Sequence, residues 1–228
     1  MHRNIIWDLD GTLFDTYPAM TSAFLRALQE HGKEADAAWV TSLATVSFDH
    51  CVAALSSFSG ISPARIEDGF DRAYAAVPLR EQPPFDGARR LCEHVQGAGG
   101  RNVIVTHRRK ESTEGLLDVH GMRGLFAGWI TASDGYRKKP DPQAFLAALR
   151  LFSLDPAETM GLGDRDIDSQ AARAAGLFTC RFGSVPGNDT PDLAVAEHAQ
   201  ILSFLMAEEE ARQRAGGPGP LKAARGTP

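Results

Sequence analysis

Short apolar runs of the kind that form buried β-strands alternate with amphipathic stretches along most of the chain. The apolar runs predict strands at residues 4–8, 102–106, 129–131, 160–163 and 178–181. The stretches between them predict helices at residues 87–96, 111–119, 142–152 and 169–175. Strands that alternate with helices in this way form a parallel sheet covered by helices. We therefore predict an α/β fold whose core is a doubly wound, Rossmann-like parallel sheet.

Residues 17–82 break this alternation, because they carry helical patterns and no strand pattern. The signals for helix ends in this stretch are Pro18, Gly32, Ser47, Gly60 and Ser62-Pro63. They predict a small all-helical domain inserted into a core made of residues 1–16 and 83–206. Residues 207–228 are predicted to be a disordered tail, since their Gly- and Pro-rich end cannot bury a core. The acidic run at 208–210 is also compatible with a longer terminal helix.

Polar residues stand where three of the predicted strands end. Asp8 ends the first strand, and Asp10 follows it. Thr106 ends the second strand, and Asp164 follows the fourth. Charges at the end of a buried strand are costly unless a metal, a partner or a reaction uses them. Because ligands bind at the carboxyl ends of the strands in open α/β sheets, we expect a site for a hard cation and a phosphate there. The alternative for the first segment is an ordinary turn whose aspartates only cap the strand.

Four motifs follow one another in the order of the strands. The first is Asp8-Leu9-Asp10-Gly11-Thr12, and the second is the strand that ends at Thr106. The third is Lys139 directly before a proline at the start of a helix, and the fourth is Gly163-Asp164-Arg165-Asp166-Ile167-Asp168. This series resembles the haloacid dehalogenase (HAD) superfamily, and within it the phosphoglycolate-phosphatase-like group. The resemblance implies that the helical insert at 17–82 is a cap over the active site.

The resemblance also implies a phosphatase, and each residue type suits its expected role on chemical grounds. Asp8 is expected to attack phosphorus and form an aspartyl phosphate, which splits one difficult step into two easier ones. Asp10 is expected to protonate the leaving oxygen and then to deprotonate the water that hydrolyses the intermediate. Thr106 offers a hydroxyl, and Lys139 offers a compact positive charge, to hold the phosphoryl oxygens.

The expected cofactor is Mg²⁺, which prefers oxygen ligands and is usually held by one or two carboxylates plus the substrate phosphate. By the same resemblance, its ligands are Asp8, Asp164 and the backbone carbonyl of Asp10. Asp168 is expected to bind the metal directly or through a water. Asp166 competes with Asp168 inside the motif, and the Gly-Asp-x-x-x-Asp spacing favours Asp168.

Further substrate contacts are expected from the turn, the core and the cap, at Gly11, His107 and Phe48. His107 lies near enough to Thr106 to contact the phosphate. The basic run that begins there continues with Arg108 and Arg109, and such a run is typical of a solvated helix start. Lys138 is adjacent to Lys139, and we choose Lys139 because the family's lysine immediately precedes the proline.

Two other functions remain as alternatives. Dehalogenases of the superfamily lack the second aspartate, so Asp10 indicates phosphoryl transfer. Sugar phosphomutases share all four motifs, but they carry an arginine in a Val-Ser-Arg cap loop where this chain has Val46-Ser47-Phe48. A non-catalytic HAD-fold binding protein is the alternative of another class. Such a protein is expected to lose Asp8, Asp10, Lys139 or Asp164, and all four are present.

Composition narrows the expected partners. The chain has 228 residues and a formal net charge of -5, which gives no basic footprint for nucleic acid. No apolar run approaches the roughly 18 residues of a membrane span, and the first strand starts too early to leave room for a cleavable signal. The 3 cysteines are widely spaced, which indicates core thiols in a reducing compartment. We expect a cytoplasmic enzyme for a small phosphorylated metabolite, without membrane partners, as a monomer or weak homodimer.

Overall fold

Six parallel strands form one sheet at the centre of the protein, in a computed structural model that describes residues 1–183 and 188–216. The strands are β1 (Asn4–Trp7), β2 (Asn102–Val105), β3 (Gly128–Ile130), β4 (Thr159–Gly163), β5 (Phe178–Phe182) and β6 (Leu193–Val195). Their order across the sheet is β3-β2-β1-β4-β5-β6. The first strand of the chain therefore lies between β2 and β4, which carry the second and fourth motifs at their ends. This sheet confirms the predicted α/β class.

Helices cover both faces of the sheet, as the alternating pattern predicted. The core helices are α5 (Ala88–Gly97), α6 (Lys110–Val119), α7 (Gln143–Leu151), α8 (Asp166–Ala174) and α9 (His198–Arg214). Side chains alternate along β1, so Ile5 and Trp7 pack on one face with α5, α6 and α9. Ile6 packs on the opposite face with residues of α7 and α8. Within the described residues, no helix combines the length and the apolar character needed to cross a membrane.

The part of the chain that connects β1 to β2 forms four helices, which make a separate layer. They are α1 (Tyr17–Gln29), α2 (Ala37–Val46), α3 (Phe48–Ser59) and α4 (Pro63–Ala75), and they share an apolar core of their own. The Ser47 hydroxyl accepts the His50 N–H at the start of α3, and Gly60 ends that helix with φ of 73°. These are the helix-end signals that the sequence predicted. All four helices lie within 17–82, and we call this layer the cap.

Two antiparallel segments connect the cap to the core. Phe14 lies in an isolated bridge with Pro84, and the Asp15 N–H donates to the Pro83 carbonyl at 2.8 Å. The entering and leaving chains are therefore joined by backbone hydrogen bonds. These contacts hold the two connecting segments together at the boundary between the core and the cap.

Four local features differ from the sequence prediction. The edge strand β6 was not predicted, because it is short and only partly buried. Helix α8 begins at Asp166 rather than at 169, since the Asp168 carboxylate accepts the Arg165 N–H and caps its first turn. Pro140 does not start a helix, because α7 begins only at Gln143.

The predicted tail is the fourth difference. Disorder from residue 207 is wrong for residues 207–214, because α9 continues to Arg214. The acidic run of α9 is held by the start of the chain, where the His2 N–H donates to Glu208 Oε2 at 2.8 Å. Residues 217–228, which the sequence also predicted to be disordered, lie outside the described residues.

Replacing Asn102 by alanine should destabilise the fold. Asn102 accepts the Trp7 indole N–H at 3.0 Å and donates to the carbonyls of Cys92 and Leu125 at 2.9 and 3.0 Å. The loss of these bonds leaves two buried groups and one partly buried carbonyl unpaired. We therefore expect the free energy of unfolding, measured in urea, to fall by roughly 3 kcal/mol. The control is Gln96→Ala, which removes one exposed hydrogen bond and should cost less than about 1 kcal/mol. Equal losses would contradict this role of Asn102.

Candidate active site

The carboxyl ends of β1, β2 and β4 meet at one edge of the sheet. Trp7 of β1 pairs with Ile104 of β2 and Leu162 of β4, so the residues that follow these strands lie side by side. The Asp8 N–H donates to the Leu162 carbonyl at 2.7 Å and continues this register. The parallel topology therefore brings Asp8, Thr106 and Asp164 to a common edge.

Three carboxylates form the centre of the site. Asp8, Asp164 and Asp168 each offer an oxygen, and these oxygens lie within 4.8 Å of one another. Burial raises the pKa of Asp8, and burial together with the Asp8 charge raises the pKa of Asp164. Such shifts mean that the cluster resists carrying all its negative charges without a cation. Oxygen ligands of this kind fit a hard divalent cation.

Lys139 supplies a positive charge from within the protein. Its side chain is only 1% exposed, and its Nζ contacts both Asp8 and Asp168. The same Nζ donates to the Val105 carbonyl at 3.1 Å. Lys138 points elsewhere and lies 3.8 Å from Asp49 of the cap. The structure thus brings the predicted lysine, and not its neighbour, to the carboxylates.

The fourth motif divides its charged residues between two places. Asp168 is buried beside Lys139, whereas Asp166 contacts Arg181 and accepts the Asn188 N–H. Lys139 and Arg165 outweigh the effect of burial and hold the pKa of Asp168 below its usual value. Arg165 is a cation that the sequence analysis missed, and its Nε lies 3.8 Å from Asp164 Oδ1 and 3.7 Å from Asp168 Oδ2.

Gly11 makes room for this cluster. Its φ is +79°, and an added Cβ would lie 2.6 Å from Asp164 Oδ2 and against the Tyr17 ring. A side chain here would therefore be strained by the backbone and would collide with the site. Thr12, the next residue, places its hydroxyl 3.4 Å from both Asp8 Oδ2 and Asp164 Oδ1. The contact of Gly11 with substrate remains a prediction.

Asp10 turns its carboxylate to Arg108 rather than to the three carboxylates. The Arg108 Nε donates to both carboxylate oxygens at 3.1 and 3.3 Å, and its Nη2 donates to Oδ1 at 2.7 Å. Burial alone would raise the pKa of Asp10, but the Arg108 charge outweighs it and holds that pKa below its usual value. The contribution of the Asp10 carbonyl to a metal site remains a prediction.

The interpretation of Arg108 as a solvated residue is therefore wrong. Its side chain is 6% exposed, whereas Arg109 is exposed as predicted. Buried arginines are almost always paired. The available signal was its position two residues after Thr106, at the edge of the sheet that also carries the acidic first motif.

The loop after β2 also holds the backbone of Lys139 in place. The Lys139 N–H donates to His107 Nε2 at 2.8 Å, and the Arg108 N–H donates to Thr106 Oγ1 at 3.1 Å. Burial, with a contribution from Lys139, lowers the pKa of His107 to about 3. His107 is therefore a neutral acceptor that fixes the Lys139 backbone. Its predicted contact with phosphate stays a prediction.

Two tyrosines of the cap contact charged residues of the core. The Tyr17 hydroxyl donates to Asp164 Oδ2 at 2.7 Å, and the Tyr74 hydroxyl contacts the Arg108 Nη2. Phe48 instead packs inside the cap, with its ring centroid 5.5 Å from that of Phe24 and 5.0 Å from that of Phe70. The predicted contact of Phe48 with substrate remains a prediction, and the tyrosines were not predicted as site residues.

Comparison with known sequences identifies relatives along most of the chain. The haloacid dehalogenase-like hydrolase family matches residues 2–176. A phosphoglycolate phosphatase from Pseudomonas syringae pv. tomato is 32% identical over 210 residues, covering 88% of this chain and 76% of the relative. A validoxylamine A 7'-phosphate phosphatase from Streptomyces hygroscopicus subsp. limoneus is 28% identical over 199 residues, covering 86% of this chain and 92% of the relative.

Solved structures share the fold. A predicted phosphoglycolate phosphatase from Haemophilus somnus superposes with a TM-score of 0.77 at 19% identity, covering 90% of this chain and 98% of that one. A putative beta-phosphoglucomutase from Thermotoga maritima superposes with a TM-score of 0.74 at 20% identity, covering 91% and 99%. At these identities the likeness establishes the architecture of core and cap alone.

Replacing His107 by glutamine should make the free energy of unfolding less dependent on pH below neutrality. Native His107 stays neutral down to about pH 3, whereas in the unfolded chain it binds a proton below about 6.5. Its contribution is therefore fully present above pH 6.5 and is lost as the pH falls towards 3. Between pH 7 and 4, we expect the free energy of unfolding, measured in urea, to fall by up to about 3 kcal/mol more for the wild type than for His107→Gln.

The control for this prediction is His50→Gln, since His50 is exposed on the cap. Its stability curve should run parallel to that of the wild type. Glutamine keeps an acceptor for the Lys139 N–H, so activity at pH 7 should survive the His107 change. Parallel curves for wild type and His107→Gln would show that His107 does not carry this dependence.

Proposed function

The chain belongs to the haloacid dehalogenase-like hydrolase family, and from this premise we propose that it is a phosphatase that hydrolyses a small phosphomonoester through an aspartyl phosphate on Asp8. One observation carries the proposal. Asp8 is 1% exposed at the carboxyl end of the central strand, in contact with Lys139 and within reach of two further carboxylates. A buried carboxylate between a lysine and a candidate cation site is suited to attack a phosphate.

Mg²⁺ is the cation that we assign to this site. Asp8, Asp164 and the carbonyl of Asp10 would hold it, with Asp168 binding directly or through water. When bound, the cation supplies positive charge to the phosphoryl oxygens and favours the ionised form of Asp8. The buried acidic cluster supports this assignment, because its donor atoms are the hard oxygens that Mg²⁺ prefers.

The two chemical steps use the aspartates in turn. In the first step an Asp8 oxygen bonds to phosphorus, the ester P–O bond breaks, and the leaving oxygen takes a proton from Asp10. In the second step Asp10 accepts a proton from water, whose oxygen bonds to phosphorus while the bond to Asp8 breaks. Phosphate leaves and both aspartates are restored. Lys139 and Thr106 hold the phosphoryl oxygens during both steps.

The contact with Arg108 affects the protonation state of Asp10. Arg108 favours the ionised carboxylate of Asp10, which is the form that accepts a proton from water. The donation of a proton to the leaving group requires the protonated form. The proposed cycle therefore needs Asp10 in both protonation states.

The proposed substrates are small phosphorylated metabolites, and 2-phosphoglycolate is the first to test. Several relatives bear the name phosphoglycolate phosphatase. Another relative is named for validoxylamine A 7'-phosphate, so the names of the relatives do not define a single substrate. A panel that contains both short phosphorylated acids and sugar phosphates would rank the candidates by kcat/KM.

Replacing Asp8 by asparagine should abolish turnover without unfolding the protein. The change removes the nucleophile and one metal ligand but keeps the shape of the side chain. We expect the hydrolysis of p-nitrophenyl phosphate to fall by more than about a thousandfold, or ~4 kcal/mol in barrier. Asp118→Asn is the control, since Asp118 forms an exposed pair with Arg123. An Asp8→Asn variant with more than about a tenth of wild-type activity would exclude Asp8 as the nucleophile.

Replacing Asp164 by asparagine should mainly weaken metal binding. We expect the Mg²⁺ concentration for half-maximal activity to rise at least about tenfold, as a lost charged ligand costs ~1.4 kcal/mol or more. Asp166→Asn is the matched control from the same motif, because Asp166 lies outside the carboxylate cluster. Thermal unfolding with and without Mg²⁺ gives a second measurement that does not depend on activity. Identical metal titrations for Asp164→Asn and wild type would show that other residues bind the metal.

A further inference from the structure

The contact between Arg108 and Asp10 extends beyond the active-site edge into the cap. Arg108 lies in the loop after β2, and its Nη2 contacts the Tyr74 hydroxyl in the last turn of α4. Tyr74 donates in turn to Gln82 Oε1 at 2.7 Å. Gln82 is 1% exposed and lies where the chain returns from the cap to the core. One guanidinium thus connects the proposed acid–base residue, the cap and the connecting segment.

We propose that Arg108 is a positioning residue that holds the Asp10 carboxylate and couples its orientation to the cap through Tyr74. The proposal rests on the phosphatase function proposed above, because it assigns a role in that reaction. Arg108 acts through Asp10 and does not itself contact the reacting atoms.

The geometry favours positioning over direct substrate binding. All three guanidinium nitrogens already donate: Nε and Nη2 to Asp10, and Nη1 to the Ser112 hydroxyl at 2.6 Å. Nη2 also lies 3.3 Å from Gln82 Oε1. A guanidinium engaged in this way is fixed in one plane, and it presents a fork that matches one carboxylate. A substrate anion that bound the Nε and Nη2 edge of Arg108 would have to displace Asp10 and Tyr74.

The same contacts explain the link to the cap. A displacement of α4 away from the β2 loop lengthens the contact between Tyr74 and Arg108 if the side chains stay in place. The guanidinium would then have to follow Tyr74 or remain with Asp10. Either outcome changes the support of the Asp10 carboxylate. The position of the cap and the availability of Asp10 are therefore coupled.

The first test compares three single variants with p-nitrophenyl phosphate and Mg²⁺. Arg108→Met should lower kcat at least about tenfold while KM changes less than about threefold, because the lost function is general acid–base catalysis. Arg108→Lys keeps the charge without the fork and should fall between Arg108→Met and the wild type. Arg109→Met is the matched control from the same loop. Arg109 is exposed, so this variant should retain wild-type kcat.

The second test asks whether Arg108 acts through Asp10. If it does, Asp10→Asn/Arg108→Met should be no slower than Asp10→Asn alone, within about twofold, because residues that act as a unit are not additive. Radiolabelled substrate allows the slow residual rates of these variants to be measured. Effects that multiply would overturn the proposal and place Arg108 directly on the substrate.

The third test addresses the cap. Tyr74→Phe removes only the hydroxyl, so it should lower kcat by about three- to tenfold in wild type and have no further effect in Arg108→Met. Thermal unfolding of every variant separates loss of fold from loss of rate, and Arg108→Lys serves if Arg108→Met does not fold. Unchanged kcat per folded molecule in Arg108→Lys and Tyr74→Phe would reduce the contacts to packing and overturn the proposal. A wild-type protein without activity on any phosphomonoester would instead refute the proposed function.

Discussion

Repulsion among three carboxylates, two buried and one partly buried, is the constraint on which the rest of the site depends. Asp8 follows β1, whereas Asp164 and Asp168 belong to the fourth motif after β4, and the three converge at one edge of the sheet. Their mutual repulsion and their loss of solvent are costly unless cations compensate. Lys139 provides one compensating charge and Arg165 a second. The remaining negative charge makes the site suited to a divalent cation and, with it, a phosphate.

The core and the cap share this electrostatic problem. Tyr17 at the start of the cap donates to Asp164, and Tyr74 at its end contacts the arginine that holds Asp10. Each end of the cap is thus tied to a different acid of the core. A neutral hydroxyl suits this position, because it stabilises a charge without adding one. The cap is therefore part of the electrostatics of the site as well as its cover.

Several site features followed from local patterns because their causes are local. The strand end and the Gly-Thr turn are properties of neighbouring residues, and they indicated Asp8. The resemblance to the haloacid dehalogenase superfamily, which also rests on short local motifs, implied Lys139 and Asp168. Arg108 could not be identified in this way, since its partners Asp10, Tyr74 and Gln82 are 98, 34 and 26 positions away in the chain. Nothing in a run of basic residues distinguishes a solvated arginine from one whose carboxylate arrives from another strand.

The sequence by itself determined the α/β class, five strands and the helical nature of residues 17–82, because hydrophobic periodicity and cap residues act over a few positions. Only the tertiary structure decided the strand order, the edge strand β6 and the continuation of α9 to Arg214. It also decided that Phe48 packs on aromatic rings of the cap and that Asp10 pairs with Arg108. The physical reason is that charge pairing and ring packing depend on distances in space, and distant segments acquire those distances only when the sheet and the cap assemble.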